Sequence, residues 1–247
     1  MDGIIYVFHG SKVKEANEQA IAFIHQIIRK VDRPIQEIAF LEKANPTIPD
    51  AFENCVRLGA KNIIVIPVLL LTAAHIKEDI PNEINNLLKQ YPEVKASIGK
   101  AIGVHEKLIE ILVERLDETQ VTMKEDAAVL LVGRGSSDPD VKTDLICIGD
   151  MLQKKIKKRV GVCFLAAAQP SLSEGLDWAK KSTSKQTFVI PYLLFTGVLM
   201  KKLEQTIDQD EQNDFKWILC PSLGYHPILE DIILEQIHEM LIKLNTK

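Results

Sequence analysis

The chain repeats itself once, and that repeat constrains its fold more than any other feature. Val7-Phe8-His9-Gly10-Ser11 returns as Val132-Gly133-Arg134-Gly135-Ser136, 125 positions later. Phe40-Leu41 with Pro46 returns as Phe164-Leu165 with Pro170, 124 positions later. Ile66-Pro67-Val68-Leu69-Leu70-Leu71-Thr72 returns as Ile190-Pro191-Tyr192-Leu193-Leu194-Phe195-Thr196, again 124 positions later. Ile102-Gly103-Val104-His105 returns as Leu223-Gly224-Tyr225-His226 at an offset of 121. The order is kept and the offset is steady, over a period far longer than a solenoid repeat of about 20–50 residues. The expectation is a duplicated pair of domains, 1–120 and 121–247, joined in the polar stretch Asp117–Asp126.

Within each copy, short apolar runs alternate with amphipathic stretches. Gly3–Phe8, Ile35–Leu41, Asn62–Ile66 and Lys95–Ile98 read as strands of the first copy. Ala127–Val132, Val160–Leu165, Thr187–Ile190 and Trp217–Leu219 read as strands of the second. Lys14–Arg29 puts Ala16, Ala20, Ile24, Ile27 and Ile28 on one helical face, and Asn45 before Pro46 reads as a helix N-cap. A further helix runs through Leu87 and Leu88, and His105–Leu116 is another. Asp138–Lys158, Ser171–Lys181, Leu199–Ile207 and Pro227–Leu244 are the helices of the second copy. Strands separated by helices form parallel sheets with right-handed crossovers. The fold class is therefore α/β: two doubly wound domains, each a four-stranded parallel sheet flanked by helices, with a ligand cleft expected between them.

Composition removes several functions. Thirty basic against 34 acidic residues give a net charge of −4, without the excess of cations that a nucleic-acid footprint wants. No apolar run reaches the roughly 18 residues of a membrane span. Met1–Ser11 lacks the basic n-region of a signal peptide. Cys55, Cys147, Cys163 and Cys220 lie far apart with no CxxC pair, and read as buried thiols in a reducing compartment. A cytoplasmic protein is expected, and a monomer, since duplication can replace a homodimer.

In an open parallel sheet, ligands bind beyond the carboxyl ends of the strands, where strand order reverses. His9 follows the first strand, His75 follows the third, and Glu42 follows the second. In a 2-1-3-4 order the first and third strands are neighbours, so both imidazoles can line one crevice. The second copy has Arg134, Ala166 and Leu199 at these places, so the scaffold is repeated while the ligand-type side chains are not. Two imidazoles and a carboxylate suit a divalent first-row metal with open positions. Neutral imidazole also accepts a proton near pH 7, so activity through it is expected to fall below about pH 6. The connection Pro67–Ala74 is apolar for a loop. It reads either as a buried extension of the third strand or as a wall for a flat aromatic ligand.

Other signals are weaker. Gly133–Asp138 begins like a dinucleotide-binding loop, but Asp138 stands where the third glycine belongs and Asp138-Pro139 reads as a helix cap. His105 and His226 precede helices and suit capping or surface roles, while His25 and His238 lie in helices and read as solvated. Lys154–Arg159 reads as a solvated helix end.

Taken together, His9-Gly10-Ser11, Phe40-Leu41-Glu42 with Pro46-Thr47-Ile48, and Pro67–His75 resemble the sirohydrochlorin chelatase family, over nearly the whole chain. Two lobes in one chain resemble the form that inserts Fe2+ to complete siroheme. The resemblance implies that His9 and His75 hold the incoming metal, that His9 accepts a proton, and that Glu42 assists. It implies a tetrapyrrole site along Leu70, Leu71, Thr72, Ala73, Ala74 and His75. Asn45 stands where family members often carry glutamate, so an amide rather than a carboxylate would contact substrate there. Lys12, Lys14, Lys43, Lys77, Arg134 and Lys201 are candidates to meet the macrocycle's carboxylates.

The leading expectation is thus a lyase-class ferrochelatase with sirohydrochlorin and a divalent metal as substrates and no tightly bound cofactor. Insertion of cobalt or nickel into the same macrocycle, and a non-enzymatic tetrapyrrole or metal carrier, are the alternatives. Phosphoryl transfer through His9 is disfavoured, because Phe8 stands where a phosphate-binding arginine belongs.

Overall fold

The computed structural model describes residues 1–182, 185–194, 197–210 and 215–245; Phe195 and Thr196 of the third repeated motif lie outside this set. The first copy runs β1 (Asp2–Phe8), α1 (Lys14–Ile28), β2 (Ile35–Phe40), α2 (Ile48–Arg57) and β3 (Asn62–Pro67). A π-helical turn (His75–Asp79), α3 (Ile80–Gln90), β4 (Lys95–Ile98) and α4 (Glu106–Asp117) follow. The second copy runs β5 (Ala128–Gly133), α5 (Pro139–Ile156), β6 (Arg159–Phe164), α6 (Leu172–Ser182) and β7 (Gln186–Tyr192). It ends with α7 (Val198–Gln209), β8 (Lys216–Leu219) and α8 (Pro227–Asn245). Two parallel four-stranded sheets result, ordered β2-β1-β3-β4 and β6-β5-β7-β8. Ile4–Val7 and Val129–Val132 are fully buried, as central strands covered by helices on both faces must be.

The duplication extends to individual backbone hydrogen bonds. The Leu41 amide donates to the Phe8 carbonyl at 2.9 Å, and the Glu42 amide to the His9 carbonyl at 3.1 Å. Leu165 and Ala166 donate likewise to Gly133 and Arg134, each at 3.0 Å. The backbone beyond the first strand of each copy is therefore held alike, whatever side chain it carries.

Two expectations are corrected. Asn45 is not the N-cap of α2; it precedes a cis Pro46, and the helix starts two residues later. Thr47 caps it, in a reciprocal box with Asp50: the Thr47 amide donates to Asp50 Oδ2 at 2.8 Å and the Asp50 amide to Thr47 Oγ1 at 3.4 Å. Ser171 and Glu174 repeat the box before α6. Cys147 is exposed, while Cys55, Cys163 and Cys220 are buried.

The compact units of the fold are Met1–Gly103 together with α8, and Val104–His226, so the final helix of each copy of the repeat packs in the other copy's unit. Helix α8 packs on α1 and β3, and α4 packs on α5 and β7. An amphipathic helix demands an apolar partner, but its own pattern does not say which sheet provides one. Among the described residues no helix is long and apolar enough to cross a membrane.

Candidate functional site

β1 and β3 are paired in register, Val7 opposite Pro67, so the residues leaving their carboxyl ends are neighbours. His9 is the first residue past β1, and His75 opens the π-helical turn beyond β3. Their rings lie edge to face, with centroids 4.9 Å apart and planes at 88°. Glu42 reaches the same place from the β2–α2 loop, its Oε1 3.3 Å from His9 Nδ1. The structure therefore brings together His9, His75 and Glu42. Their side chains are 13%, 36% and 39% exposed, so the imidazole nearest the sheet is the most enclosed.

The Lys43 ammonium binds Glu42 Oε1. That hydrogen bond, the main cause, holds the Glu42 carboxyl below the usual carboxylate range; desolvation opposes it, and His9, Lys43 and His75 add favourable charge. An ionised carboxylate beside His9 can steady a positive imidazole or receive its proton.

Asp79 was missed by sequence reasoning. Its Oδ2 lies 2.6 Å from His75 Nδ1. A carboxylate on Nδ1 fixes the ring's orientation and tautomer and leaves Nε2 as the nitrogen able to take a cation. The legible signal was the four-residue spacing of His75 and Asp79, which puts them on one face of a helical turn. π-Helical turns are rare and recur at functional sites.

Of the two readings of the Pro67–Ala74 connection, the exposed wall fits better. β3 ends at Pro67, and only Val68 beyond it is buried. Leu69, Leu70, Leu71, Thr72 and Ala73 are half-buried and Ala74 is exposed. The wall is braced from behind, as Leu69 and Leu70 accept amide hydrogen bonds from Ile102 and Gly103 at 2.9 and 2.8 Å. Asn45 is exposed in the loop that carries Glu42. Lys12, Lys77, Arg134 and Lys201 are also exposed; Lys14 pairs with Glu18 at 3.3 Å.

The remaining histidines lie elsewhere. His105 caps α4, its Nδ1 accepting from the Lys107 amide at 3.2 Å. His226 Nε2 lies 2.8 Å from Glu114 Oε2, and His25 and His238 are exposed on helices. Asp138 caps α5 as expected, accepting from the Asp140 amide at 3.0 Å. At the end of the Lys154–Arg159 run, Lys158 and Arg159 donate to the carbonyls of Lys124, Glu125 and Ser182. Among the described residues no group of three or more His, Cys, Asp or Glu side chains is placed to hold a metal ion, so the candidate donors are the imidazole pair with Glu42 beside it.

The CbiX family model matches residues 3–119 and, a second time, 128–240. The chain belongs to the CbiX family. Each match of the CbiX model falls on one copy of the repeat. A sirohydrochlorin ferrochelatase of Priestia megaterium is 50% identical over 242 residues, 98% of this chain and 91% of that one. The sirohydrochlorin ferrochelatase of Bacillus subtilis (strain 168) is 42% identical, over 96% of this chain and 90% of the relative. A sirohydrochlorin cobaltochelatase of Priestia megaterium is 37% identical, over 99% of this chain and 83% of its own length. Among solved structures, SirB from Bacillus subtilis with Fe3+ superposes with a TM-score of 0.89 at 42% identity, covering 96% of this chain and 94% of SirB.

Proposed function

We propose that this protein is a sirohydrochlorin ferrochelatase, which exchanges the two pyrrole protons of sirohydrochlorin for one Fe2+ and yields siroheme. The observation that carries the reading is the edge-to-face pair His9 and His75 at 4.9 Å, in a copy of the repeat whose sister has arginine and leucine there. Full-length kinship to ferrochelatases supports it.

In this reading His75, oriented by Asp79, presents Nε2 to the ferrous ion as it arrives. His9 takes a pyrrole proton, and Glu42, kept ionised by Lys43, stabilises the imidazolium that forms. A donor set this small leaves coordination positions open, so the metal passes to the macrocycle once its nitrogens are deprotonated. The half-buried wall Leu70–Ala73 offers an apolar face to the flat ring, and Asn45 offers an amide at its edge.

Cobalt insertion is the second reading, favoured by the 37% identical cobaltochelatase and by a SirB structure in complex with cobalt at TM-score 0.82. Imidazole and carboxylate donors accept either ion, and the order of affinities does not set the choice.

The test is anaerobic metal insertion into sirohydrochlorin, followed by absorbance, with iron, cobalt and nickel compared on one preparation. Fastest turnover with iron, abolished in His9→Ala and His75→Ala variants that remain folded, is the expected result. Wild-type turnover by either variant defeats the assignment of the pair. A rate equal to the protein-free control makes the protein a carrier.

A further inference from the structure

The second copy lacks the imidazoles but holds a cavity of its own. It has a volume of about 560 Å3, within the range of roughly 300–1,000 Å3 typical of small-ligand sites. It opens at the carboxyl end of β6, between the β6–α6 loop and α7. Leu165, Ala166, Ala167, Ala168 and Leu172 supply apolar walls, while Gln169, Ser173 and Lys202 supply polar groups.

Comparison with the first copy gives the cavity its chemistry. Counting back 124 positions, Ala166, Lys202 and Leu203 correspond to Glu42, Glu78 and Asp79. Of these, Ala166 and Lys202 line the cavity, so where the first copy carries the carboxylates of Glu42 and Glu78 this lining carries a methyl group and an ammonium. No acidic side chain lines the cavity among the described residues. Glu174, at the adjoining start of α6, is already engaged by the Ser171 amide at 2.7 Å and hydroxyl at 2.8 Å. Gln169 points its carbonyl oxygen at the Ser171 amide, 2.9 Å away, which leaves its side-chain N–H groups as donors.

We propose that this cavity binds an organic carboxylate, with Lys202 as counter-charge, the Gln169 amide and Ser173 hydroxyl as donors, and the alanine run against the ligand's apolar body. A charge-assisted hydrogen bond from an ammonium to a carboxylate is the strongest contact such a lining offers. The carboxylate has two sources: an acid arm of a tetrapyrrole, which rests on the function proposed above, or a small tricarboxylate, which does not.

Alanine-methyl NMR of the full chain separates them, because Ala166–Ala168 report this cavity while Ala73 and Ala74 report the histidine site. Citrate and metal-free sirohydrochlorin are the two probes, titrated separately in metal-free buffer. Saturable shifts at Ala166–Ala168 with either probe are expected, identifying the source by which probe produces them. Lys202→Glu should weaken that binding by about tenfold or more, and Lys202→Arg should retain it. Shifts confined to Ala73 and Ala74, no shifts with either probe, or equal affinity in Lys202→Glu overturn the proposal. With sirohydrochlorin as probe, shifts at Ala166–Ala168 without any at Ala73 and Ala74 would count against the chelatase site while leaving this one standing.

Discussion

The carbonyl oxygen of Glu42 lies 1.9 Å from the point where a Cβ on Gly10 would sit, and Gly10 holds a φ of +85°. Gly135 repeats this against the Ala166 carbonyl, at 1.8 Å and φ +87°. A side chain here meets rigid backbone, and the left-handed conformation is itself costly for any other residue. The glycine of the His9-Gly10 pair is thus a requirement of the scaffold, and the residue before it is free to carry chemistry in one copy and not in the other.

Gly10→Ala should accordingly destabilise the unit that carries His9 by about 3 kcal/mol or more, since strain and a backbone clash act together. For a chain of this size that lowers the melting temperature by roughly 6–12 °C. Scanning calorimetry checks it, and an unchanged melting temperature would contradict the close approach.

Asp79→Asn should leave the fold intact and weaken metal binding and insertion by roughly 10–100-fold, the usual cost of losing a partner behind a ligating histidine. Asp79→Glu should recover part of the loss. Cobalt titration read in the visible spectrum, beside insertion rates, distinguishes this from misfolding. Equal affinity in wild type and Asp79→Asn would remove Asp79 from the site.

The two helix-start boxes should govern part of the acid stability. Asp50 and Glu174 are held below the usual carboxylate range, chiefly by the backbone amides of Thr47 and Ser171 and next by their hydroxyls, with desolvation opposing. A folded value below the unfolded one adds stability above the unfolded pKa of about 4, which is lost as pH falls through the folded value. Asp50→Asn with Glu174→Gln should therefore be less stable than wild type at pH 7 and lose less on acidification below about pH 4. Urea midpoints measured across that range test the sign; parallel curves would refute it.

Ending the chain at residue 226 should unfold the unit that carries the imidazole pair. Leu229, Ile232, Ile233 and Ile237 of α8 are each at most 2% exposed, and burial of such a side chain contributes about 1.5–3 kcal/mol. Lys30, in the turn just past α1, also reaches Glu230 of α8, Nζ to Oε1 2.5 Å, with the carboxylate side chain 5% exposed. Their combined loss is comparable to the whole stability of an ordinary domain, about 5–15 kcal/mol. Hydrogen exchange should show β1 and β3 unprotected in the truncated chain, and native protection there would disprove the dependence.

Most of this protein was legible in one dimension. The strands follow from apolar runs and the helices from 3.6-residue periodicity, both local properties of the chain. The repeat offsets gave the duplication, and with the expected 2-1-3-4 strand order they put His9 and His75 at adjacent strand ends. Local chemistry misled once, where Asn45-Pro46 imitates a helix start and the Thr47-to-Asp50 box two residues on is the real one.

Other features depended on partners distant in the chain. Nothing local to α4 or α8 states which sheet will bury it, because an apolar stripe specifies that it be covered and not by what. The 4.9 Å approach of the two imidazoles, the π-helical turn that sets Asp79 behind His75, and the exposure of Cys147 depend on how finished elements pack. Periodicity is written residue by residue, whereas packing is a property of surfaces that exist only once the elements have met.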